Sequence, residues 1–212
     1  MKKALFILGA GGHGRVAADC AVEMGDWERI VFLDDNRCTS AVDEQWAVLG
    51  SLDTVFELAK EDDEVFVGIG DGKVRNHWIQ RVAESGLSMA TLIHPRANVS
   101  RFSSIGDGSI VAAGACVNIG AVIGPGCIVN TGATVDHDCT LGACVHVCPG
   151  ANIAGNVGIE EHSWIGIGSC IKQDIHVGKN VIVGAGSVVI SDIQDGKKVA
   201  GSPASSIGEN AC

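Results

Sequence analysis

The sequence is poor in aromatic residues and has no tyrosine. Aromatic side chains make up 4% of the 212 residues and proline occurs four times, whereas glycine occurs 29 times. Large aromatic side chains fill many mixed globular cores, so their scarcity argues against a core of that kind. A hydrophobic fraction of 46% still allows a real core. The composition therefore favours a fold with many tight corners and thin, branched side chains.

Basic residues and long apolar runs are also scarce. Lys and Arg number 15 against 25 Asp and Glu, and the net charge of −10 argues against nucleic acid or an anionic membrane as the main partner. No apolar run is long enough to span a bilayer. The opening MKKALFILGAGGHGR begins like a signal peptide, but a glycine loop and a helical pattern follow where a cleavage site would be. We therefore expect a first strand and a cytoplasmic protein.

The nine cysteines lack any CxxC pair or zinc-finger spacing, and their number is odd. Without a secretion signal, they are expected to be reduced, small and mostly buried. No metal site is predicted from them.

A six-residue repeat fills the second half of the sequence. Every sixth residue from Val99 to Val189 is a branched aliphatic: Val99, Ile105, Val111, Val117, Ile123, Val129, Val135, Leu141, Val147, Ile153, Ile159, Ile165, Ile171, Val177, Val183 and Val189. The residue two places before each is mostly Ala, Ser or Cys. Period six matches neither an amphipathic helix nor a flat strand. It predicts a three-faced prism of 18-residue coils, just over five of them across residues 99–194, in which each coil pairs with the next.

The first 95 residues follow a different pattern, in which strands alternate with helices. This alternation predicts a small parallel sheet. The predicted strands are Ala4–Leu8, Ile30–Leu33, Glu64–Ile69 and Ala90–Ile93, and the predicted helices are residues 16–24, 52–60 and 73–84.

A glycine loop follows the first predicted strand. Gly9, Gly11 and Gly14 fit G-x-G-x-x-G, and Asp34 and Asp35 follow about 20 residues later, as in dinucleotide-binding folds. Four strands are too few for two mononucleotide halves, and no second domain offers hydride chemistry, which disfavours an NAD-dependent dehydrogenase. Glycines and a helix start still suit a nucleotide phosphate. The alternative is a tight turn without a ligand.

Two groups of motifs carry a resemblance to known proteins. The repeats IGDGSI, IGPGCI, VGKNVI and VGAGSV resemble hexapeptide acyltransferases, whose coils form a left-handed parallel β-helix. Together with GAGGHG, FLDD and LIHP, residues 3–204 resemble the bacterial nucleotide-sugar and sialic-acid acetyltransferases. The resemblance implies a Rossmann-like nucleotide-sugar-binding domain over residues 1–95. It implies an acetyl-CoA-binding β-helix with a short tail over residues 96–212.

The same resemblance implies an activity and an assembly. Family members transfer acetyl from acetyl-CoA to the amino group of a UDP-linked 4-amino-4,6-dideoxy sugar for surface polysaccharide or glycan synthesis, as in bacillosamine synthesis. Others act on GDP-perosamine or on a sialic acid hydroxyl. The expected assembly is a homotrimer with active sites between subunits. A non-catalytic trimeric scaffold that binds nucleotide sugars is the alternative from another class.

The stretch NTGATVDHDC places three polar residues together in an otherwise apolar run. A neutral imidazole at His137 suits a general base, because its ordinary pKa is near neutrality. Either Asp138 or Asp136 could orient the ring, and the sequence leaves that choice open. One coil further, Gly155 stacks on His137 and offers a backbone N–H to an oxyanion. The resemblance assigns His137 as base, Asp138 as its acid partner and Gly155 as oxyanion donor.

The resemblance also implies contacts with both substrates. Acetyl-CoA would meet His146, Ile167 and Ala185. The nucleotide sugar would meet Gly11, Gly12, His13, Gly14, Asp34, Asp35, Gly70, Asp71, Arg75 and Asn130. Asp71 stands where relatives often have Asn, and Asp138 where some close relatives have Glu.

Plainer interpretations stay open for several of these residues. His137 could be an interface histidine paired with an acid, and His146 a stacked corner residue. His13 could contact substrate or cap the helix. A metal held by His137, His146 and His162 is disfavoured, because spacings of 9 and 16 do not match one coil. A thiol relay through Cys139 or Cys148 is disfavoured because nothing in the sequence lowers a thiol pKa.

Overall fold

The computed structural model describes residues 2–36, 41–43 and 46–208. It divides into two compact units, residues 1–95 and 96–212. Within the described residues, no helix has the length and apolar character needed to cross a membrane.

The first unit is a parallel α/β layer. Its strands are β1 (Lys2–Leu8), β2 (Trp27–Leu33), β3 (Ala41–Asp43), β4 (Trp46–Ala47), β5 (Glu64–Val67), β6 (Ser88–Met89) and β7 (Leu92–Ile93), and its helices are α1 (Gly12–Met24), a 3₁₀ turn (Leu52–Thr54), α2 (Val55–Leu58) and α3 (Gly72–Glu84). The main sheet has the order β2-β1-β5-β6, with every pair parallel. Apolar residues of β1, β2 and β5 pack with Trp78 and Val82 of α3. The predicted four-stranded parallel sheet is confirmed.

Two details of that prediction were wrong, and one element was missed. The helix predicted over residues 52–60 is a 3₁₀ turn followed by the single turn α2, and the extended backbone of Ala59 ends it. The fourth strand of the sheet is Ser88–Met89, not Ala90–Ile93. The short hairpin of β3 and β4 was not predicted, because two or three residues are too few to show alternation.

The second unit is a parallel β-solenoid of about six turns. Two-residue strands recur every six residues, followed by a final hairpin: β8 (Asn98–Val99), β9 (Ser104–Ile105), β10 (Ile110–Val111), β11 (Cys116–Val117), β12 (Val122–Ile123), β13 (Ile128–Val129), β14 (Thr134–Val135), β15 (Thr140–Leu141), β16 (His146–Val147), β17 (Asn152–Ile153), β18 (Gly158–Ile159), β19 (Trp164–Ile165), β20 (Cys170–Ile171), β21 (His176–Val177), β22 (Ile182–Val183), β23 (Val188–Val189), β24 (Lys198–Ala200) and β25 (Ser205–Ser206). This confirms the predicted repeat. Its left-handed sense stays a prediction.

The strands form three faces. Face 1 contains β8, β11, β14, β17, β20 and β23, face 2 contains β9, β12, β15, β18 and β21, and face 3 contains β10, β13, β16, β19, β22, β24 and β25. Thr134 pairs with Asn152, and Val135 with Ile153, which is the predicted 18-residue register. We call the turns that lead from face 1 to face 2 the 1–2 corner, and those from face 3 to face 1 the 3–1 corner.

The aliphatic repeat fills the interior of the solenoid. From Val111 to Val189, all fourteen repeat positions are at most 2% exposed. Val99 and Ile105, in the first coil, are partly exposed. Burying a side chain of this size contributes about 1.5–3 kcal/mol. An aliphatic residue therefore recurs every six positions because each one fills the interior of its coil.

From Ser109 onward, the small residues two places earlier are also buried, and several serve as links between coils. Ser109 Oγ donates to Gly124 O and accepts from Cys127 N, both at 2.9 Å. The thiols of Cys127 and Cys139 donate to Gly142 O and Ala154 O. Ser and Cys suit this position because a short side chain satisfies a buried carbonyl without needing extra space. Each described cysteine is a free thiol.

Left-handed backbone recurs at the solenoid corners, also every six residues. Glycine supplies a positive φ at Gly108, Gly114, Gly120, Gly126, Gly132, Gly150, Gly168 and Gly186, and other residues do so at Asp138, Cys144, Asn156, His162, Asp174 and Asn180. Asn and Asp tolerate this conformation better than most side chains. Asp138 therefore occupies a position where the fold itself favours Gly, Asn or Asp.

Candidate functional site

His137 and Asp138 form a hydrogen-bonded pair at the 1–2 corner. The two residues follow β14, and His137 Nδ1 donates to Asp138 Oδ2 at 2.9 Å. The left-handed backbone of Asp138, with φ 58°, accompanies this contact between adjacent residues. With the proton on Nδ1, the neutral ring keeps its lone pair on Nε2. The arrangement leaves Nε2 able to accept a proton.

The environment of His137 favours its protonated form. Its side chain is 55% exposed. The hydrogen bond that His137 donates to Asp138 is the main cause that raises the pKa of His137 above its usual value, and the charges of Asp136, Asp138 and Asp174 add to it. Carboxylates close to an imidazole stabilise the imidazolium. A base placed here would therefore be strengthened as a proton acceptor.

Gly155 lies directly against the imidazole, as the 18-residue stacking predicts. A Cβ at Gly155 would collide with His137 Nε2 and lie 2.5 Å from Cε1. The glycine therefore makes the space that the ring occupies. Among the residues that the structure describes, the Gly155 N–H has no hydrogen-bond acceptor, although Gly155 O accepts from Asp174 N. A free backbone N–H beside a base is what an oxyanion site requires.

Asp136 has a different set of partners from Asp138. Its Oδ1 accepts from the His137 backbone N–H and from Asn118 Nδ2, each at 2.8 Å. These bonds, led by the one from Asn118, lower the pKa of Asp136. The choice that the sequence left open is therefore resolved in the structure, where Asp138 contacts the ring.

A second group of predicted residues gathers at face 3 and the 3–1 corner. Asn130 Nδ2 donates to His146 Nε2 at 3.2 Å, and the ring of His146 packs on Trp164 with centroids 4.2 Å apart. Trp164 is the register partner of His146 in the next coil. Sequence reasoning missed Trp164, although counting 18 residues from His146 would have found it.

Ile167 and Ala185 are stacked at the 3–1 corner, 18 residues apart. Gly186 N donates to Ile167 O at 2.8 Å, which joins the two coils there. Both residues are exposed. We call this pair, an exposed apolar side chain beside a small one, the ledge; its contact with acetyl-CoA stays a prediction.

The two groups lie at different corners of one solenoid. His137, Asp138 and Gly155 follow strands of face 1, whereas Asn130, Ile167 and Ala185 follow strands of face 3. Strands of face 1 separate the two corners. One solenoid therefore does not bring all the predicted β-helix residues together.

The predicted nucleotide residues share one edge of the first unit's sheet, because they follow the parallel strands β1, β2 and β5. The glycines there fall into two classes. A Cβ at Gly14 would collide with Gly9 O, so Gly14 is required for packing. At Gly11, Gly12 and Gly70 a Cβ would meet nothing within 4 Å. These three positions have room for a ligand, and α1 begins among them with no side-chain cap.

The acidic residues of this edge are engaged with the backbone. Asp34 Oδ2 accepts from Ala10 N at 2.7 Å, which ties the end of β2 to the glycine loop. Asp35 Oδ1 accepts from Leu52 N at 2.9 Å. Asp71 caps α3 by accepting from Lys73 N and Val74 N. Their contacts with a nucleotide stay a prediction, and each carboxylate also shapes a loop.

Arg75 is buried in the first unit, whereas His13 is half-buried. Arg75 is fully buried, and its Nη1 donates to Ile69 O at 2.8 Å and to Gly70 O at 2.7 Å. As placed, its guanidinium holds the loop after β5 and offers no exposed surface to a substrate. Burial and the charge of Arg75 lower the pKa of His13 to about 4. His13 is therefore neutral near neutrality.

The cysteines near the candidate site are poor nucleophiles. Burial raises the pKa of Cys139 and raises that of Cys148 to about 12. A thiolate is the reactive form of cysteine. No cluster of three or more metal-ligating side chains occurs among the residues that the structure describes.

Comparisons with known proteins show which family the chain resembles. A family model described as the PglD N-terminal domain matches residues 4–82. UDP-N-acetylbacillosamine N-acetyltransferase of Bacillus subtilis is 36% identical over 113 residues, 52% of each chain, so the chain spans about half the length of that relative.

Two solved structures match almost the whole chain. One is the acetyltransferase domain of PglB from Neisseria gonorrhoeae in complex with acetyl coenzyme A, which is 43% identical with a TM-score of 0.94 and covers 98% of this chain and 100% of that one. The other is a mutant of perosamine N-acetyltransferase from Caulobacter crescentus in complex with CoA and GDP-perosamine, which is 34% identical with a TM-score of 0.92 and covers 97% of each chain. With these matches across both units, the chain belongs to the PglD-type family of nucleotide-sugar N-acetyltransferases.

Proposed function

We propose that this protein transfers the acetyl group of acetyl-CoA to the amino group of a UDP-linked 4-amino-4,6-dideoxy sugar, with His137 as general base. The observation that carries the proposal is the arrangement of Asp138, His137 and Gly155. His137 Nδ1 lies 2.9 Å from Asp138 Oδ2, and His137 Nε2 faces Gly155, whose N–H is free of any acceptor among the described residues. The product would serve surface polysaccharide or glycan synthesis.

The reaction would proceed by direct transfer. His137 Nε2 accepts a proton as the amine attacks the thioester carbonyl, and the Gly155 N–H donates to the oxyanion of the tetrahedral intermediate. When the C–S bond breaks, His137 returns its proton to the CoA sulfur. Asp138 holds the ring and stabilises the imidazolium, as a carboxylate does in a His–Asp pair.

Two copies of the chain would complete each site. The base and the oxyanion donor lie at the 1–2 corner, while Asn130, His146, Ile167 and Ala185 lie at face 3 and the 3–1 corner. In a homotrimer, the 3–1 corner of one solenoid would face the 1–2 corner of its neighbour. The separation of the corners within one chain supports this arrangement.

The CoA arm would lie along the ledge of Ile167 and Ala185. The phosphates of CoA need cationic partners, and the residues that follow the GSPA segment, Ser205 and Ser206, are uncharged. These serines line a groove of about 340 Å³ together with Lys197. Lys197 is therefore the proposed phosphate contact.

The nucleotide would bind at the glycine loop of the first unit. Gly11, Gly12 and Gly70 leave room for its phosphates, and the start of α1 offers N–H groups. Asp34 and Asp35 would approach the ribose or base. His13 would act as a neutral hydrogen-bonding group, and Arg75 would hold the loop carbonyls.

GDP-perosamine is a second candidate acceptor, because a relative at 34% identity was solved with it. O-acetylation of sialic acid is disfavoured, since the negative charges of Asp136, Asp138 and Asp174 act at His137 and would repel an anionic sugar acid there.

A product assay by mass spectrometry tests the proposal. Acetyl-CoA is offered with a UDP-4-amino sugar, GDP-perosamine or free sialic acid, using wild type and His137→Ala. We expect N-acetylated UDP sugar and a loss of roughly 10²–10⁴-fold in turnover for the variant. Undiminished turnover by His137→Ala would rule out the base. CoA binding without acetylation of any acceptor would favour the scaffold.

A further inference from the structure

Asp136 and Asn118 form a clamp between two coils at the residue before the base. One carboxylate oxygen of Asp136 accepts both the His137 N–H and Asn118 Nδ2, each at 2.8 Å. The two side chains belong to corresponding positions of adjacent coils, 18 residues apart. The clamp therefore fixes the backbone at the point from which the imidazole projects.

The side chain of His137 has little packing to hold it. It is 55% exposed, and its hydrogen bond goes to Asp138, whose side chain is 67% exposed. An exposed pair of this kind orients a ring weakly when its backbone can move. A second restraint on the backbone would therefore matter for a ring that must meet an amine within about 3–3.5 Å.

We propose that Asp136, anchored by Asn118, is a positioning residue for His137 that fixes its backbone and keeps a negative charge beside its ring. This inference rests on the proposed role of His137 as general base. Asp136 does not touch the reacting atoms and acts only through His137.

The charged groups around His137 give the clamp a measurable signature. The charges of Asp136, Asp138 and Asp174 raise the pKa of His137, and Asp138, which alone of the three has a described contact with the ring, contributes most. Gly155 and Ile119, the stacked residues of the next and previous coils, carry no charge. Asp136→Asn keeps the acceptor oxygen and the shape of the clamp while removing the charge. Asp136→Ala removes both, so the two variants separate positioning from electrostatics.

A plain structural link between coils is the competing explanation. Thr134 Oγ1 donates to Asn152 Oδ1 at 3.0 Å, which is also a side-chain bond across 18 residues and lies two residues before Asp136. Thr134→Ala is therefore a matched control, since it deletes a link between coils without touching His137.

The experiment measures kcat, KM for both substrates and the pH profile of kcat/KM for Asp136→Ala, Asp136→Asn, Asn118→Ala and Thr134→Ala. We expect Asp136→Ala and Asn118→Ala to lower kcat about tenfold or more with little change in KM, because orientation is lost. Asp136→Asn should keep most of the kcat at high pH that Asp136→Ala loses. The acidic limb of its kcat/KM profile should lie at lower pH than in wild type. Thr134→Ala should match wild type.

An NMR titration of the His137 imidazole, assigned by comparison with His137→Ala, gives a readout that does not need activity. A lower pKa in Asp136→Asn is expected. Unchanged kcat in Asp136→Ala together with an unchanged His137 pKa in Asp136→Asn would overturn the inference. Should Asp136→Ala fail to fold, the titration of Asp136→Asn decides alone. Full turnover by His137→Ala would instead refute the base assignment, so the two failures are distinguishable.

Discussion

Replacing Gly155 with alanine tests the stacking of this glycine on His137. The new Cβ would lie 2.5 Å from His137 Cε1 and 3.0 Å from Cδ2, against a normal contact of about 3.5–4.0 Å. Gly155 does not have a positive φ, so alanine can adopt its backbone conformation. The ring must therefore retreat by about 1 Å, and a displacement of that size can lower kcat roughly 100-fold.

The variant should fold normally, because the displaced ring is exposed and can move outward. Replacing glycine by alanine where the backbone permits it changes stability by about 0.4–1 kcal/mol, which corresponds to a few degrees in Tm. Steady-state kinetics with acetyl-CoA and the amino sugar, together with a thermal melt, therefore separate the effect on activity from an effect on folding.

Gly158→Ala is a matched control. A Cβ there would lie 3.2 Å from Nδ1 of His176, another exposed imidazole one coil further, and Gly158 also lacks a positive φ. This variant should keep kcat within about twofold of wild type, because no catalytic group moves. If Gly155→Ala behaves like Gly158→Ala, the reasoning about the position of His137 is refuted.

Three further predictions concern the pKa values and the buried arginine. Because the pKa of His137 is raised, the neutral base forms only at higher pH. Asp138→Asn should therefore move the acidic limb of the kcat/KM profile to lower pH, while it lowers kcat/KM on the high-pH plateau. An acidic limb that stays in place would contradict the assignment of His137 as base. His13, with a pKa of about 4, should show no titration between pH 5.5 and 8 by NMR, and a titration in that range would contradict the desolvation that lowers this pKa. Arg75→Met should remove the hydrogen bonds to the carbonyls of Ile69 and Gly70, at a cost of about 1–3 kcal/mol each, and should lower Tm by several degrees. Lys73→Met, on the first turn of the same helix, is the control. Equal melting temperatures of the two variants would argue against the anchoring role of Arg75.

The sequence predicted the solenoid well because its interior accepts little variation. Each coil closes around three aliphatic side chains, so Val135 and Ile153 had to recur at a fixed spacing. The same counting predicted that Gly155 lies on His137, since stacked coils share one register. Counting could also have shown that His137 and His146, nine residues apart, lie half a coil apart. This separation argues against a site that a single chain builds from both residues.

Other features depend on side-chain rotamers and local backbone that residue spacing does not reveal. The sequence could not choose between Asp136 and Asp138, because the left-handed corner at residue 138 decides which carboxylate meets the ring. The burial of Arg75 was also unpredictable, because its acceptors are backbone carbonyls that any sequence would supply.

The antiparallel pairing of β25 with β24 affects what the solenoid can join. A stack of parallel coils ends in a row of unpaired amide and carbonyl groups that can recruit further strands. On face 3, the returning segment occupies the hydrogen-bonding side of Val199 and Ala200 with Ser206 and Ser205. The edge of face 3 is thereby a two-residue strand that runs against the coils, so a further parallel coil cannot continue the stack there in the same register.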